Sequence, residues 1–287
     1  MQQIEAEQID QRFAATTARA WPRQGRYALV MLAAAAVILP AWVGGQSGQT
    51  TGLLILIPWS ILAALLVAGW LAARRQRRSR QNITQAWEMA QLENWADAEQ
   101  CLDLGMGGPI RSPSDRWQAF MLLATLLERD GRHDLAAHVH VRLLLERIGD
   151  GYQLQQTQLA LTMAKLRNEE LTDAVRLLDQ LERLPMPLTL RAVYSLIRLY
   201  QQVFMGHHLD AVENMNEQQS LFRRFLSTRA GYGYGLLAAS LHHLGRNVEA
   251  AKLWLDATTL IRPEKLVEEY PPLASLRGQY PAMEHPI

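Results

Sequence analysis

Ala238–Pro263, AASLHHLGRNVEAAKLWLDATTLIRP, carries the pattern that decides the fold. Apolar residues recur at helical spacing on both sides of Gly245, the periodicity of two helices separated by a turn. Gly245 allows the first helix to close tightly. Glu249 falls in the first turn of the second helix, where the helix dipole favours negative charge. Ala238 and Ala250, twelve residues apart, are small enough for two antiparallel helices to approach closely. Pro263 ends the phrase, because a proline marks where the next connection begins.

Working outward, the same phrase recurs at Trp95-Ala-Asp-Ala98, His133-Asp-Leu-Ala136, Leu171-Thr-Asp-Ala174, His208-Leu-Asp-Ala211 and Asn247-Val-Glu-Ala250. The alanines are separated by 38, 38, 37 and 39 residues. Four of the five follow an acidic residue, Asp97, Asp173, Asp210 or Glu249. Gly131, Gly206 and Gly245 precede their alanines by five positions. Leu102, His140, Leu178, Met215 and Trp254 follow by four, and Ala86, Ala124, Thr162, Leu199 and Ala238 precede by twelve. Pro109, Pro185 and Pro263 follow several second helices. Beyond Gln81 long β-branched runs are missing, so this region reads as stacked helix pairs.

In these residues the chain resembles the tetratricopeptide repeat family, over about 85–265 and in five copies. A small residue on a first helix faces an alanine on the second, with a large apolar residue one turn on and a proline near the end. The period exceeds the family's roughly 34 residues, and Leu199 and Gln218 stand in the fourth copy where small residues are expected. The register of copies three and four therefore stays open, and a generic α-solenoid or an irregular bundle is the competing reading. The resemblance implies an all-α solenoid whose first helices line a groove for peptides or helices of other proteins. It places the groove on Gln118, Met121, Thr125, Arg129, Gln156, Met163, Arg167, Tyr200, Tyr232, His242 and His243. Arg129 and Arg167 share a repeat position, which suits a clamp on a partner's carboxylate. Met121 and Met163 fit solenoid core equally well. Tyr270–Tyr280 reads as a polar-faced cap on the last pair, which open solenoids need.

Upstream, Tyr27–Ala73 contains no charged residue. It holds two apolar runs, Tyr27–Val43 (YALVMLAAAAVILPAWV) and Leu53–Ala73 (LLILIPWSILAALLVAGWLAA), joined by the polar, glycine-rich Gly44–Gly52. A bilayer core needs roughly 17–25 apolar residues in helical form. The second run fits comfortably and the first at the lower limit, so the expectation is a transmembrane hairpin over 27–73. A signal peptide would show one short run and a cleavage site. A hairpin buried in a soluble domain would carry a charged outer face. Pro40 and Pro58 lie toward the loop-side ends, where a lost hydrogen bond is easily satisfied. Trp42 and Trp59 suit one interface, with Tyr27 and Trp70 at the other.

Arg12, Arg19, Arg23 and Arg26 precede the hairpin, and Arg74, Arg75, Arg77, Arg78 and Arg80 follow it. Excess arginine in both flanks places both termini in the cytoplasm and the loop outside. Beside an apolar span the arginine run is a juxtamembrane stem, residues 74–82, rather than a nucleic-acid patch. Residues 1–26 show only weak amphipathic spacing (Ile4, Ile9, Phe13), that of a frayed or interfacial helix, and are assigned no function.

The overall charge of +1 hides an asymmetry. Residues 1–80 hold nine arginines against Glu5, Glu7 and Asp10, leaving 20 basic and 25 acidic residues beyond. That acidic remainder argues against nucleic acid as a ligand. The single Cys101 excludes an internal disulfide framework and fits a reducing compartment.

Chemistry-bearing motifs are sparse. Gly105-Met-Gly-Gly108-Pro lacks the lysine and the preceding strand of a phosphate loop. Gly231-Tyr-Gly-Tyr-Gly235 opens the fifth copy's first helix, where tight packing explains it. His138 and His140 are two apart and face differently, while His133 and His208 occupy one repeat position at the turn, so no metal site is implied. Cys101 reads as a packing thiol. Glu169-Glu170 and Glu268-Glu269 are neighbours along the chain and read as solvated. No cofactor, small-molecule substrate or catalytic group is indicated.

The organisation expected is an N-terminal segment (1–26), a hairpin (27–73), the stem (74–82), helical repeats (83–265) and a cap and tail (266–287). The function expected is that of a membrane-anchored scaffold binding other proteins at the cytoplasmic face of a bacterial inner membrane. Its architecture is similar to HemY-type bacterial inner-membrane proteins and to some polysaccharide-export subunits. The alternatives are a structural subunit whose hairpin packs with other spans through Ala33–Ala36 and Ala63-Ala64, and an enzyme of unrecognised type.

Overall fold

The computed structural model describes residues 5–17 and 51–280, without the side chains of residues 51–62 and 64. Among the described residues the chain is all-α, with no strand. It divides into two compact units, Met1–Leu126 and Leu127–Ile287.

The first unit contains α1 (Ala6–Thr16), α2 (Thr51–Gln91), α3 (Trp95–Met106) and most of α4 (Pro113–Arg129). The 41-residue α2 is about 60 Å long. It runs unbroken from the second apolar run through the arginines into the first repeat. Its C-terminal part packs on α3. Ser79 Oγ donates to the Gly105 carbonyl at 2.5 Å, and a Cβ at Gly105 would lie 2.8 Å from Ile83 Cγ1. Among the described residues no helix is long and apolar enough to cross a membrane. Tyr27–Val43, with Trp42, lies outside the described residues, as does the side chain of Trp59.

Residues 6–16, expected to be frayed or interfacial, form a docked helix. Ile9 and Phe13 are fully buried, and the Phe13 ring stacks on Phe120 with centroids 3.6 Å apart. Arg116 Nη2 donates to the Phe13 carbonyl at 2.8 Å and to Thr17 Oγ1 at 3.0 Å. Arg12 pairs with Asp103 at 2.8 Å. The short apolar stripe of α1 underrates it, because the partners of that stripe lie about a hundred residues away in sequence.

The second unit holds the last turn of α4, then α5 (His133–Leu145), α6 (Gly151–Arg167), α7 (Leu171–Glu182), α8 (Leu188–Phe204), α9 (His208–Glu213), α10 (Met215–Phe225), α11 (Ala230–His243), α12 (Asn247–Leu260) and α13 (Pro263–Glu269), with a 3-10 turn at Pro271–Leu276. Neighbours in sequence are neighbours in space: α5 packs on α6, α6 on α7, α8 on α9 and α10, and α11 on α12.

One backbone device recurs five times. Five residues before each phrase alanine the chain turns left-handed, at Glu93 (φ 59), Gly131 (74), Glu169 (59), Gly206 (76) and Gly245 (75). The next amide in each case reaches back to a carbonyl five residues earlier: Asn94 to Met89, Arg132 to Leu127, Glu170 to Lys165, His207 to Gln202 and Arg246 to Leu241, at 2.8–2.9 Å. This double closure satisfies the last carbonyls of each first helix. Ala98, Ala136, Ala174, Ala211 and Ala250 are all fully buried, and so are Ala86, Ala124, Thr162, Leu199 and Ala238.

The fourth copy differs in its second helix, which breaks at Asn214 into α9 and α10. Asn214 and Asn216 are poor interior helix residues, because their amides compete for the backbone. The offset α10 sends the fully buried Phe222 over α11, where Gly233 leaves room for its ring. In the same helix Gly231 faces Ile261 and Gly235 faces Leu273, each 3.0 Å from where a Cβ would stand. Each glycine of Gly231-Tyr-Gly-Tyr-Gly235 thus admits a different neighbour.

Candidate functional site

The candidate site is one face of the second unit, built from α6, α8 and α11. Arg167 ends α6, Tyr200 lies on α8, and Tyr232 and His242 lie on α11. Across them runs the segment Pro263–Tyr280. Arg167 Nη2 pairs with Glu269 Oε2. Tyr270 meets Tyr200 edge-on at 4.8 Å and 88°, and lies 5.1 Å from Tyr232 at 46°. Farther along, Tyr280 Oη lies 2.8 Å from His242 Nδ1 and donates to Asn247 Oδ1 at 2.9 Å. Leu266, Leu273 and Leu276 of the segment are fully buried. The expected polar-faced cap is therefore also an apolar and aromatic seal on first-helix side chains.

Arg167 is held from behind. Its Nη1 lies 3.4 Å from Glu128 Oε2, and Glu128 Oε1 lies 3.4 Å from Nε2 of the buried His140. Burial of the guanidinium works against its charge. Glu269 and then Glu128 outweigh it and carry the Arg167 pKa above the ordinary arginine value. Burial, followed by the Arg167 charge, lowers the pKa of His133 at the start of α5. Burial raises the phenols of Tyr200 and Tyr232, and raises that of Tyr270 furthest. A second cluster stacks His208 on His243 at 4.3 Å and 8°. His208 Nδ1 lies 3.4 Å from Ser240 Oγ. Burial and then His243 lower the His208 pKa.

The sequence-predicted groove residues separate. Arg167 meets Glu269, Tyr200 and Tyr232 converge on Tyr270, and His242 meets Tyr280. Tyr200, expected to be open to a partner, is buried. Arg129 is exposed at the end of α4, and Arg167 is paired with Glu128 and Glu269. His243 is exposed, and Gln156 is half-buried on α6. Met163 is partly buried against the core. Gln118, Met121 and Thr125 belong to the first unit, where Gln118 O accepts from Trp87 Nε1 at 3.2 Å and Thr125 Oγ1 donates to Met121 O at 3.0 Å.

Sequence reasoning missed Glu128, His140, Glu269 and Tyr270 as members of this face. Glu268 and Glu269 do not act alike, since Glu268 is exposed while Glu269 turns to Arg167. Likewise Glu169 supplies a left-handed turn, whereas Glu170 pairs with Lys165. Among the described residues no group of histidine, cysteine and carboxylate side chains is placed to hold a metal ion.

In the first unit, Arg74, Arg75 and Arg78 line a cleft of about 730 Å³ with Leu71 and Leu104. Arg77 is exposed. Arg74 lies over the Trp70 ring at 5.2 Å. Just ahead of these arginines, Leu66, Val67, Trp70 and Leu71 are 67, 56, 59 and 52% exposed, an apolar band on α2.

No protein-family model matches the chain, and neither a curated protein nor a solved structure matches it.

Proposed function

We propose that the chain is a membrane-tethered helical-repeat adaptor: residues 27–73 cross a bilayer twice, and the helix pairs bind segments of other proteins. The observation that carries this reading is the docking of α1 on the helices beyond the apolar stretch, through Phe13 on Phe120 and Arg12 on Asp103. Segments in direct contact lie on one side of any bilayer the intervening chain enters, so the number of crossings is even. Two uncharged runs separated by a polar linker supply two. The arginines on both flanks favour the cytoplasmic side. The exposed band of Leu66, Val67, Trp70 and Leu71 suits the interfacial end of the second crossing, with Arg74 reaching the headgroups. The helical-repeat resemblance supports partner binding on the first helices, and the architectural likeness to HemY-type proteins supports a membrane scaffold.

A second reading, a structural subunit of a larger membrane complex, draws on that same apolar band, which offers a seat for other spans. Photo-crosslinking in native membranes separates the two. A crosslinker at Gln156 or Arg129 captures a defined protein partner under the adaptor reading, while one at the outward Val248 captures none. Capture confined to Ala33–Ala36 or Ala63-Ala64 would favour the subunit reading and end the adaptor one.

A further inference from the structure

The segment Pro263–Tyr280 has too little structure of its own to stand alone. It consists of a seven-residue helix and a six-residue 3-10 turn. Turns this short do not persist in water unaided. Its internal ties include an exposed ion pair, Arg277 with Glu264 at 3.0 Å, and short-range turn hydrogen bonds. Its order therefore comes from what it lies on, as for a peptide bound to a protein. The contacts are of the kind that recognise a peptide: a carboxylate on a guanidinium, a ring between two tyrosines, and leucines in apolar hollows.

The receiving side is prepared for those groups. Glu128 orients Arg167 from behind, and the second edge of its fork meets Glu269. Tyr200 and Tyr232 stand on different helices and meet the same ring. Gly235 lacks the Cβ that would crowd Leu273. Pro271 and Pro272 follow the Glu269-Tyr270 pair and open the 3-10 turn that packs on α11.

Resting on the adaptor reading, we infer that Pro263–Tyr280 is an internal strap seated on the partner-binding face. The partner it holds off is a protein segment of the same chemistry: a carboxylate followed directly by an aromatic ring, with a proline-stiffened extension. The strap keeps the face shut until such a segment competes for Arg167 and the two tyrosines. Because the strap is tethered, its effective concentration is high, and a partner must exceed it in affinity or number.

The test uses the full chain in detergent and a fluorescent peptide of residues 263–280, PEKLVEEYPPLASLRGQY, read by anisotropy. The opened chain carries Glu269→Gln with Tyr270→Ala. It should bind this peptide at least tenfold more tightly than the unaltered chain does, and adding Arg167→Glu should abolish binding. Equal binding by the unaltered and opened chains, or no binding by an opened chain that keeps its helical circular dichroism, would overturn the inference. Hydrogen exchange on the unaltered chain covers the case of a variant that does not fold. Strap amides should exchange by local opening well ahead of α11 and α12, and exchange in step with α11 would make the strap plain core. Neither readout needs a cellular partner, so this failure is distinct from that of the adaptor reading, which the Gln156 crosslink tests.

Discussion

Arg167 and Glu269 stand 102 residues apart in sequence and close an ion pair between the end of α6 and the end of α13. The pair joins a segment outside the five recurring phrases to the face of the helices inside them. Glu128 lies on the other side of the guanidinium, so Arg167 keeps a partner when Glu269 is neutralised. Glu269→Gln should therefore cost roughly 1–3 kcal/mol, less than losing the arginine. Arg167→Met should cost more, because it leaves Glu128 and Glu269 without their shared cation. Urea unfolding of both variants and of the double variant measures the coupling. Strict additivity would mean that the pair contributes nothing to the fold.

The five left-handed turns provide a comparison at nearly constant geometry. Glycine fills three of them, while Glu93 and Glu169 adopt φ 59 at the cost of Cβ crowding. Glu93→Gly and Glu169→Gly should each stabilise the fold by up to about 1 kcal/mol. Gly131→Ala should destabilise by a similar amount, since open space surrounds that position and backbone strain alone decides the sign. Thermal unfolding of the three variants checks the order. Destabilisation by the glycine substitutions would place the value of those glutamates in their side chains.

Gly233 presents the opposite case, with ordinary helical backbone and no space. A Cβ there enters the Phe222 ring. Gly233→Ala should cost roughly 1–3 kcal/mol through overpacking. Phe222→Leu in the same chain should recover part of the loss. A Gly233→Ala variant as stable as the parent would show that α10 shifts freely on α11.

The recurring phrase made the helix pairs legible, because its turn glycine, first-turn acid and small seam residue act locally at fixed spacing. Glu93 and Glu169 break the glycine column, and only alignment of the copies marks them as turn residues. The break at Asn214 was foreshadowed by the poor fourth copy. Nothing local marks Glu269 or Tyr270 as partners of Arg167, Tyr200 and Tyr232. Their pairing depends on where α13 delivers them, which periodicity does not encode. Phe13 reads only as part of a weak stripe for the same reason, since that stripe gains meaning only beside Phe120 and Arg116.

Acid should weaken the second unit. His133 is less basic folded than unfolded, chiefly from burial and then from Arg167, although Glu128, Asp134 and Glu269 pull the other way. His208 shifts likewise, from burial and then from His243 and His207. A histidine with a depressed folded pKa binds fewer protons in the fold than in the unfolded chain. Its contribution is complete above the unfolded value near 6.5 and is lost as the pH falls below it. The urea midpoint should drop between about pH 7.5 and pH 5.5, and His133→Gln with His208→Gln should flatten part of that drop. An unchanged pH profile in the double variant would remove both histidines from the account.

The central claim is that Tyr27–Ala73 crosses a bilayer twice and leaves α1 and the helix pairs on the same, inner side. Membrane-impermeant maleimide labelling tests it most directly, in bacterial spheroplasts carrying Cys101→Ser and one new cysteine at a time. A cysteine replacing Ser47 in the linker should label from outside. Cysteines replacing Glu7 in α1 and Val248 in α12 should label only after the membrane is permeabilised. Labelling of the Val248 site in intact spheroplasts, or extraction of the protein from membranes by carbonate, would contradict the claim.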